Sequence, residues 1–174
     1  LEAFWEASHF FNEGLQGHNP KLIRTLGNHE QRIARCVSAN PVLLDGLMGY
    51  HQLKSNAFGW EETDPGEHVE AEGFTLSHYY KSFRGTTGSK NPAGLAANHL
   101  HESFIFGHDH RLSFHRWRHV HIFGAGCYFE HDMPWLPVAE QKAWCRGLLE
   151  LRDVHEGMAD PVWHGLRSIN ARFG

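Results

Sequence analysis

Three short apolar runs of this chain each end at polar residues that can bind a metal ion. The runs and the residues that follow them are Lys21–Leu26 before Asn28 and His29, Phe74–Ser77 before His78, and Phe104–Phe106 before His108 and His110. Short apolar runs between polar stretches are typical of buried strands. In open α/β sheets the chemistry lies just beyond the carboxyl ends of the strands. The pattern therefore predicts one composite metal centre in an α/β fold.

The rest of the pattern predicts helices at the start of the chain and strands towards its end. Helical spacing of apolar residues predicts helices over Leu1–Leu15 and His29–Ala39, and Pro41 ends the second because the residue before proline resists helical geometry. A helical turn is predicted over Val42–Met48, and surface loops are predicted over 54–72 and Phe83–Pro92. Sheet is predicted over Ser113–Ile122 and Gly126–Phe129. The chain is predicted to end in a hairpin of Gly147–Val154 and Pro161–Ile169, with its turn at His155–Gly157. No repeat or linker is visible, which predicts one domain over residues 1–174.

Composition narrows the class of protein. A chain of 174 residues with 41% hydrophobic residues can bury a core, and no apolar stretch reaches the ~20 residues that a membrane helix needs. The net charge of -4 argues against a membrane-surface or nucleic-acid binder. Three cysteines without a C-x-x-C spacing argue against a thiolate zinc site and favour a reducing, cytoplasmic compartment.

Asn28 and His29 allow two interpretations. An amide oxygen is a workable metal ligand, and the backbone N–H groups where a helix begins suit a phosphate oxygen. The alternative is that Asn28 only caps the helix, with His29 and Glu30 in its first turn, and the common use of Asn as a cap favours this reading of the residue taken alone.

The Gly107-His108-Asp109-His110 segment is a stronger candidate. Two histidines two positions apart at the end of a strand can face one centre, and Gly107 would remove a side chain that blocks close approach. A polar turn in a protein with 16 histidines is the alternative. His78 taken alone is more simply a buried core histidine.

The chain resembles the calcineurin-like metallophosphoesterases in three motifs and in their order. These motifs are Gly-Asn-His-Glu, an isolated His after a strand, and Gly-His-x-His. The resemblance implies a two-sheet αββα sandwich with mixed sheets and flanking helices. It implies that Asn28, His78 and His108 bind one metal ion, that His110 binds a second, and that His29 contacts the scissile phosphate. The ions would be manganese, iron, zinc or nickel, with manganese favoured.

The chain departs from this family at two motifs. Family members begin with a strand that ends in Asp-x-His and a second that ends in Gly-Asp, which supplies the carboxylate that bridges the ions. This chain has no Gly-Asp, and its one Asp-x-His, Asp153-Val154-His155, falls at the predicted final hairpin. We therefore expect the chain to be the C-terminal portion of the family domain, without its first strands.

The leading hypothesis is a metal-dependent phosphoester hydrolase, a phosphomonoesterase or phosphodiesterase, whose two-metal centre is incomplete in this chain. Arg32 and Arg111 follow the two main motifs and are candidates to bind the substrate phosphate. The alternative is a non-catalytic metal-binding or structural module. The expected partner is a phosphoester, with nucleic acid only as a possible substrate and no membrane. One predicted strand carries four alternating residues, His115, Trp117, His119 and His121. The simplest interpretation is that they form a solvated face of the sheet. A metal-binding patch and a nucleic-acid-binding surface are weaker interpretations.

Overall fold

The computed structural model describes residues 2–79, 101–129 and 132–173. It forms two compact units, residues 1–67 and residues 68–174. The loop that the sequence predicts over Phe83–Pro92 lies outside the described residues. That the whole chain is one domain stays a prediction.

The first unit combines helices with a two-stranded parallel sheet. Its elements are α1 (Glu2–Gly14), β1 (Leu22–Thr25), α2 (Gln31–Ala39), α3 (Pro41–Leu44), two 3-10 helices (Tyr50–Leu53 and Ser55–Phe58) and β2 (Trp60–Thr63). The indole of Trp5 donates to the carbonyl of Gln52 at 2.9 Å, and the ring of Phe11 lies 5.4 Å from that of Trp60. These contacts fasten α1 to the segment that precedes and forms β2.

Arg24 is the partly buried cation of the first unit. Its guanidinium donates to Ser55 Oγ at 2.8 Å and lies 4.7 Å from the centre of the Trp60 ring. Burial lowers the pKa of Arg24, and the carboxylates of Glu62 and Glu30 oppose that shift. Glu62 is its register partner on β2, so the charge is balanced across the parallel pair.

The second unit is built on a five-stranded mixed sheet. Its elements are β3 (Val69–Ala71), β4 (Phe74–Leu76), β5 (Ser103–Phe106), β6 (Leu112–Trp117), β7 (Val120–Ala125), α4 (Val138–Gln141), β8 (Gly147–His155), β9 (Met158–Gly165) and α5 (Leu166–Phe173). The strand order is β3-β4-β5-β7-β6. Because β4, β5 and β7 run parallel, their carboxyl ends lie at one edge of the sheet.

Both faces of this sheet carry apolar side chains, since its central strands are buried on both sides. One face holds the cluster Phe104, Phe106, Val120 and Ile122. On the other, Phe74 and Phe123 pack with Ala159 of β9, and partly buried leucines of β8 join them. The β8–β9 hairpin therefore forms a second layer, and α5 packs against its strands. This confirms the predicted α/β class with mixed sheets and flanking helices.

The final hairpin is confirmed, and its turn carries positive backbone angles. Glu156 has φ 47° and Gly157 has φ 76°. The Gly157 N–H donates to the carbonyl of Glu72 at 3.1 Å, so this turn meets the β3–β4 turn. A register irregularity lies between Arg152 and His155. Asp153-Val154-His155 forms the last residues of β8, directly before the turn rather than in it.

Four predicted elements are wrong. The predicted sheet over Gly126–Phe129 is only an isolated bridge between Cys127 and Arg146. Residues 54–72 are not a loop, because they hold a 3-10 helix, β2 and β3. The predicted strand over Ser113–Ile122 is a hairpin, which turns at Arg118 with φ 55°, so its alternating residues do not share one face. The segment after Gly165 is α5, since the pairing of β8 with β9 ends at that glycine. In each case strand pairing, which a local pattern does not report, decides the outcome.

Candidate metal site

The parallel pairing of β4 with β5 continues past the ends of both strands. The Ser77 N–H donates to the Ile105 carbonyl at 3.2 Å, and the N–H groups of Gly107 and His108 both donate to the His78 carbonyl, at 3.2 and 3.0 Å. These bonds hold the backbones of His78 and His108 beside each other. The ladder thus fixes where two side chains leave the sheet edge.

The two imidazoles meet at that edge. His108 Nδ1 lies 3.2 Å from His78 Nε2, and the ring centroids are 5.2 Å apart at an interplanar angle of 70°. Two facing ring nitrogens form a hydrogen bond only when one carries a proton and the other does not. If that proton moves to the other nitrogen of its own ring, both facing nitrogens carry a lone pair that can bind a metal ion.

This separation fits two ligands of one ion. Nitrogen ligands about 2.1 Å from a tetrahedral metal lie roughly 3.4 Å from each other. The observed 3.2 Å is close to that value, so both nitrogens could bind one ion that lies beside the line joining them, once the rings turn their lone pairs towards it. The donor set is two imidazoles, which suits zinc, nickel, copper or iron.

The ring of Tyr79 packs against both imidazoles, those of His78 and His108. Its ring lies 5.6 Å from that of His78 and 5.5 Å from that of His108, edge to face in both contacts. Tyr79 is 1% exposed, and its carbonyl accepts a hydrogen bond from the buried hydroxyl of Ser77 at 3.1 Å. The sequence motifs did not identify Tyr79 as part of the site. The signal that could have found it is an aromatic residue directly after His78.

Gly107 does not have the steric role that the sequence suggests. A Cβ atom added there would meet no atom of the described residues within 4 Å. The close approach of His78 and His108 therefore comes from the ladder rather than from a missing side chain. That part of the interpretation is wrong.

His110 and Asp109 are placed differently from the pair. His110 has φ 59°, and its ring packs edge to face against Trp144 at 5.0 Å and Phe129 at 5.3 Å. The carboxylate of Asp109 accepts a hydrogen bond from the Arg111 N–H at 3.1 Å, which shapes the turn. Ligation of a second ion by His110 stays a prediction.

In the first unit, Glu30 and not Asn28 holds the N-cap position of α2, which begins at Gln31. The Gly27 N–H donates to Glu30 Oε2 at 2.8 Å, and the Gln31 N–H donates to the Gly27 carbonyl at 3.2 Å. A glutamate that reaches back three residues resembles the second half of a capping box. The reading of Asn28 as the helix cap is therefore wrong, whereas its ligand role stays a prediction.

The catalytic and phosphate-binding candidates lie on exposed positions. His29 is exposed in the turn before α2, and its carbonyl accepts from the Arg32 N–H at 3.1 Å. Arg32 is exposed in the first turn of α2, and Arg111 is exposed just before β6. Both guanidinium groups belong to surface side chains, and their binding of substrate stays a prediction.

Cys127 follows the third parallel strand, β7, at the same edge of the sheet. Its thiol lies 3.6 Å from the carbonyl of Cys145, and burial raises its pKa. A buried thiol of raised pKa stays protonated and is a poor nucleophile at neutral pH. In neither unit, over the residues that the structure describes, do three His, Cys, Asp or Glu side chains form a group able to hold a metal ion. Among the described residues, His78 and His108 are therefore a pair of candidate ligands.

No protein-family model and no curated protein matches the chain. Among solved structures, the chain is similar to a single-substitution mutant of Vps29 from Entamoeba histolytica. Sequence identity is 15%, the alignment covers 90% of this chain and 89% of that one, and the TM-score is 0.42. At these values the likeness assigns neither a family nor a function.

A helix that crosses a lipid bilayer needs about 20 predominantly apolar residues. None of the described helices is long and apolar enough to do so.

Proposed function

We propose that this chain is a non-catalytic metal-binding module, in which His78 and His108 bind one divalent cation. The observation that carries the proposal is the 3.2 Å separation of His108 Nδ1 from His78 Nε2. The backbones of both residues are held by hydrogen bonds that extend the β4–β5 ladder. Little conformational entropy is then lost when the ion binds, which favours binding even with two protein ligands.

The remaining coordination positions of the ion would be filled by water, by other residues of the chain or by a group from a partner. Two imidazoles without a carboxylate suit zinc or nickel better than manganese, which prefers oxygen ligands. The sequence alone favours manganese, because the family resemblance implies it. We therefore take zinc as the first probe and manganese as the second.

Hydrolysis demands more than this pair supplies. Two-metal phosphoester cleavage needs two ions that share a bridging oxygen and clamp the attacking and leaving groups. The described residues bring together two possible ligands of one ion, which supports a binding role over two-metal catalysis.

Phosphoester hydrolysis is the second candidate function, favoured by the order of the three motifs along the chain. In that case Asn28 would join His78 and His108 on one ion, and His110 would bind the other. His29 would assist the leaving group, while Arg32 and Arg111 would bind the phosphate. The substrate would be a phosphomonoester or phosphodiester, nucleic acid included.

Calorimetric titration of the full chain with zinc, and then with manganese, separates the two functions. We expect one ion per chain, and a loss of binding in both His78→Ala and His108→Ala. His119→Ala is the matched control, since His119 is an exposed histidine of the same unit. A parallel assay follows hydrolysis of an aryl phosphate in the presence of manganese. If hydrolysis depends on the metal and disappears in His108→Ala, the protein is a hydrolase, and the proposal of a non-catalytic module is wrong.

A further inference from the structure

β6 is the outer strand of the five-stranded sheet. It pairs with β7 on one side, and no strand of the described residues pairs with its other side. Alternate backbone N–H and C=O groups of β6 therefore point away from the sheet. Such an edge can receive an additional strand unless charges or bulges block it.

The edge carries a concentration of positive charge. We call the segment Leu112–His119 the β6 edge; its basic residues are His115, Arg116, Arg118 and His119. No acidic side chain lies within this segment, and no carboxylate of the described residues forms an ion pair with Arg116 or Arg118. The Arg116 guanidinium donates to the Arg118 carbonyl at 3.3 Å, so it braces the turn without being neutralised.

Charged residues alone would only protect an edge from aggregation, but this edge also presents large apolar side chains. Trp117 is 51% exposed and Phe114 is 46% exposed, and Leu112 precedes them on the same strand. Phe114 shares one face of the strand with Arg116, and Trp117 lies on the other face. Arginine, tryptophan and phenylalanine are the residues enriched at the centres of protein interfaces. The combination favours binding over protection.

We propose that the β6 edge binds an extended, acidic segment of a partner protein by addition of a strand. Backbone bonds to the free side of β6 would supply affinity, and carboxylates on the added strand would pair with Arg116 and Arg118. A second copy of the chain fits less well, because antiparallel pairing of β6 with itself places a basic strand against a basic strand. A nucleic acid fits less well, because the chain carries a net charge of -4 and a phosphate backbone has no donors for the free carbonyls of β6.

The probe is a fluorescein-labelled peptide with blocked ends, eight residues of alternating glutamate and valine. Its binding to the full chain is measured by fluorescence anisotropy. We expect saturable binding that weakens about tenfold in the double variant Arg116→Glu/Arg118→Glu, since two charge pairs become repulsive. The control Lys142→Glu/Arg167→Glu makes the same change of charge at exposed positions outside β6 and should bind as the native chain does.

A second peptide tests strand addition itself, and it does so on the unaltered protein. N-methylation of alternate peptide residues keeps the charge and removes the N–H donors, so binding should fall at least tenfold. Equal binding of the methylated peptide would overturn the proposal, as would equal effects of the two double variants. Three further results would also overturn it: no binding of the acidic peptide, tighter binding of a single-stranded oligonucleotide, or self-association that Arg116→Glu/Arg118→Glu abolishes.

Discussion

His108 Nδ1 lies 3.2 Å from His78 Nε2, although the two residues are 30 positions apart in the chain. The contact exists because β4 and β5 are parallel neighbours whose ladder extends to both histidines. His78 lies in a bend and His108 in a turn directly after these strands, where backbone hydrogen bonds still join the two segments. The pair is therefore a property of the sheet, and a change in either side chain should be felt at the other.

The first prediction concerns metal affinity. His78→Ala should weaken zinc binding at least 100-fold, because a single remaining imidazole no longer forms a chelate and even indirect supporting groups contribute about 10- to 100-fold. His108→Ala should have the same effect, and the double variant should add little to either. Isothermal titration measures all three. Additive losses would show that the two histidines act on separate ions.

The second prediction compares two glycines. Gly107→Ala should change the free energy of unfolding by less than about 1 kcal/mol, because its Cβ would enter open space and alanine narrows the unfolded ensemble. Gly157→Ala should cost about 2 kcal/mol or more, because its φ is 76° and the new Cβ would lie 2.5 Å from the Gly73 carbonyl oxygen.

Urea unfolding of the two alanine variants provides the comparison, with the native chain as reference. Equal losses at the two positions would mean that the β8–β9 turn is not held against the β3–β4 turn as described.

The third prediction concerns pH and His121. This residue is 7% exposed, its Nδ1 accepts from the Ala159 N–H at 3.3 Å, and burial together with Arg116 lowers its pKa from the ordinary 6.5. The folded state therefore holds fewer protons than the unfolded chain once the pH falls below 6.5. The free energy of unfolding should keep its full value above pH 6.5 and should decrease as the pH falls towards the lowered pKa of folded His121.

His121→Asn keeps a hydrogen-bond acceptor but does not titrate, so it should lose this part of the pH dependence. The slope of unfolding free energy between pH 6.5 and 5 should decrease by up to about 1.4 kcal/mol per pH unit. His115→Asn, at a more exposed position on β6, should keep the native slope. The prediction fails if both variants follow the native curve.

The fourth prediction concerns the two-layer core of the second unit. Phe123 is fully buried, stacks on Phe114 at 4.9 Å and packs with Phe74 and Ala159 beneath the hairpin. Phe123→Ala should cost about 3–5 kcal/mol through lost burial and the cavity left behind. Phe173→Ala, at a residue 76% exposed, should cost less than about 0.5 kcal/mol. Thermal unfolding of both variants tests whether the hairpin depends on this cluster.

Much of the site's position could be predicted from sequence, because it depends on where apolar runs stop. Phe74–Leu76 and Ser103–Phe106 are strands that end just before His78 and before Gly107-His108. A run of buried residues followed by a polar one is a local signal, and parallel strands bring such ends together. The final hairpin could equally be predicted, since a glycine marks its turn.

The errors arise where distant residues decide the structure. Trp60–Thr63 is a strand because it pairs with β1, and nothing in its own polar sequence shows this. The turn at Arg118 has no glycine, proline or asparagine to mark it, and it divides a run that alternates as a strand would. The packing of His110 between Phe129 and Trp144 joins segments that a linear pattern cannot relate.

A zinc titration followed by NMR of the histidine side-chain nitrogens is the sharpest test of whether His78 and His108 share one ion. A shared ion predicts that the signals of His78 Nε2 and His108 Nδ1 shift together and are complete at one equivalent of zinc, while those of His115 and His119 stay in place. A shift of one of the pair without the other, or no shift in either, would contradict it.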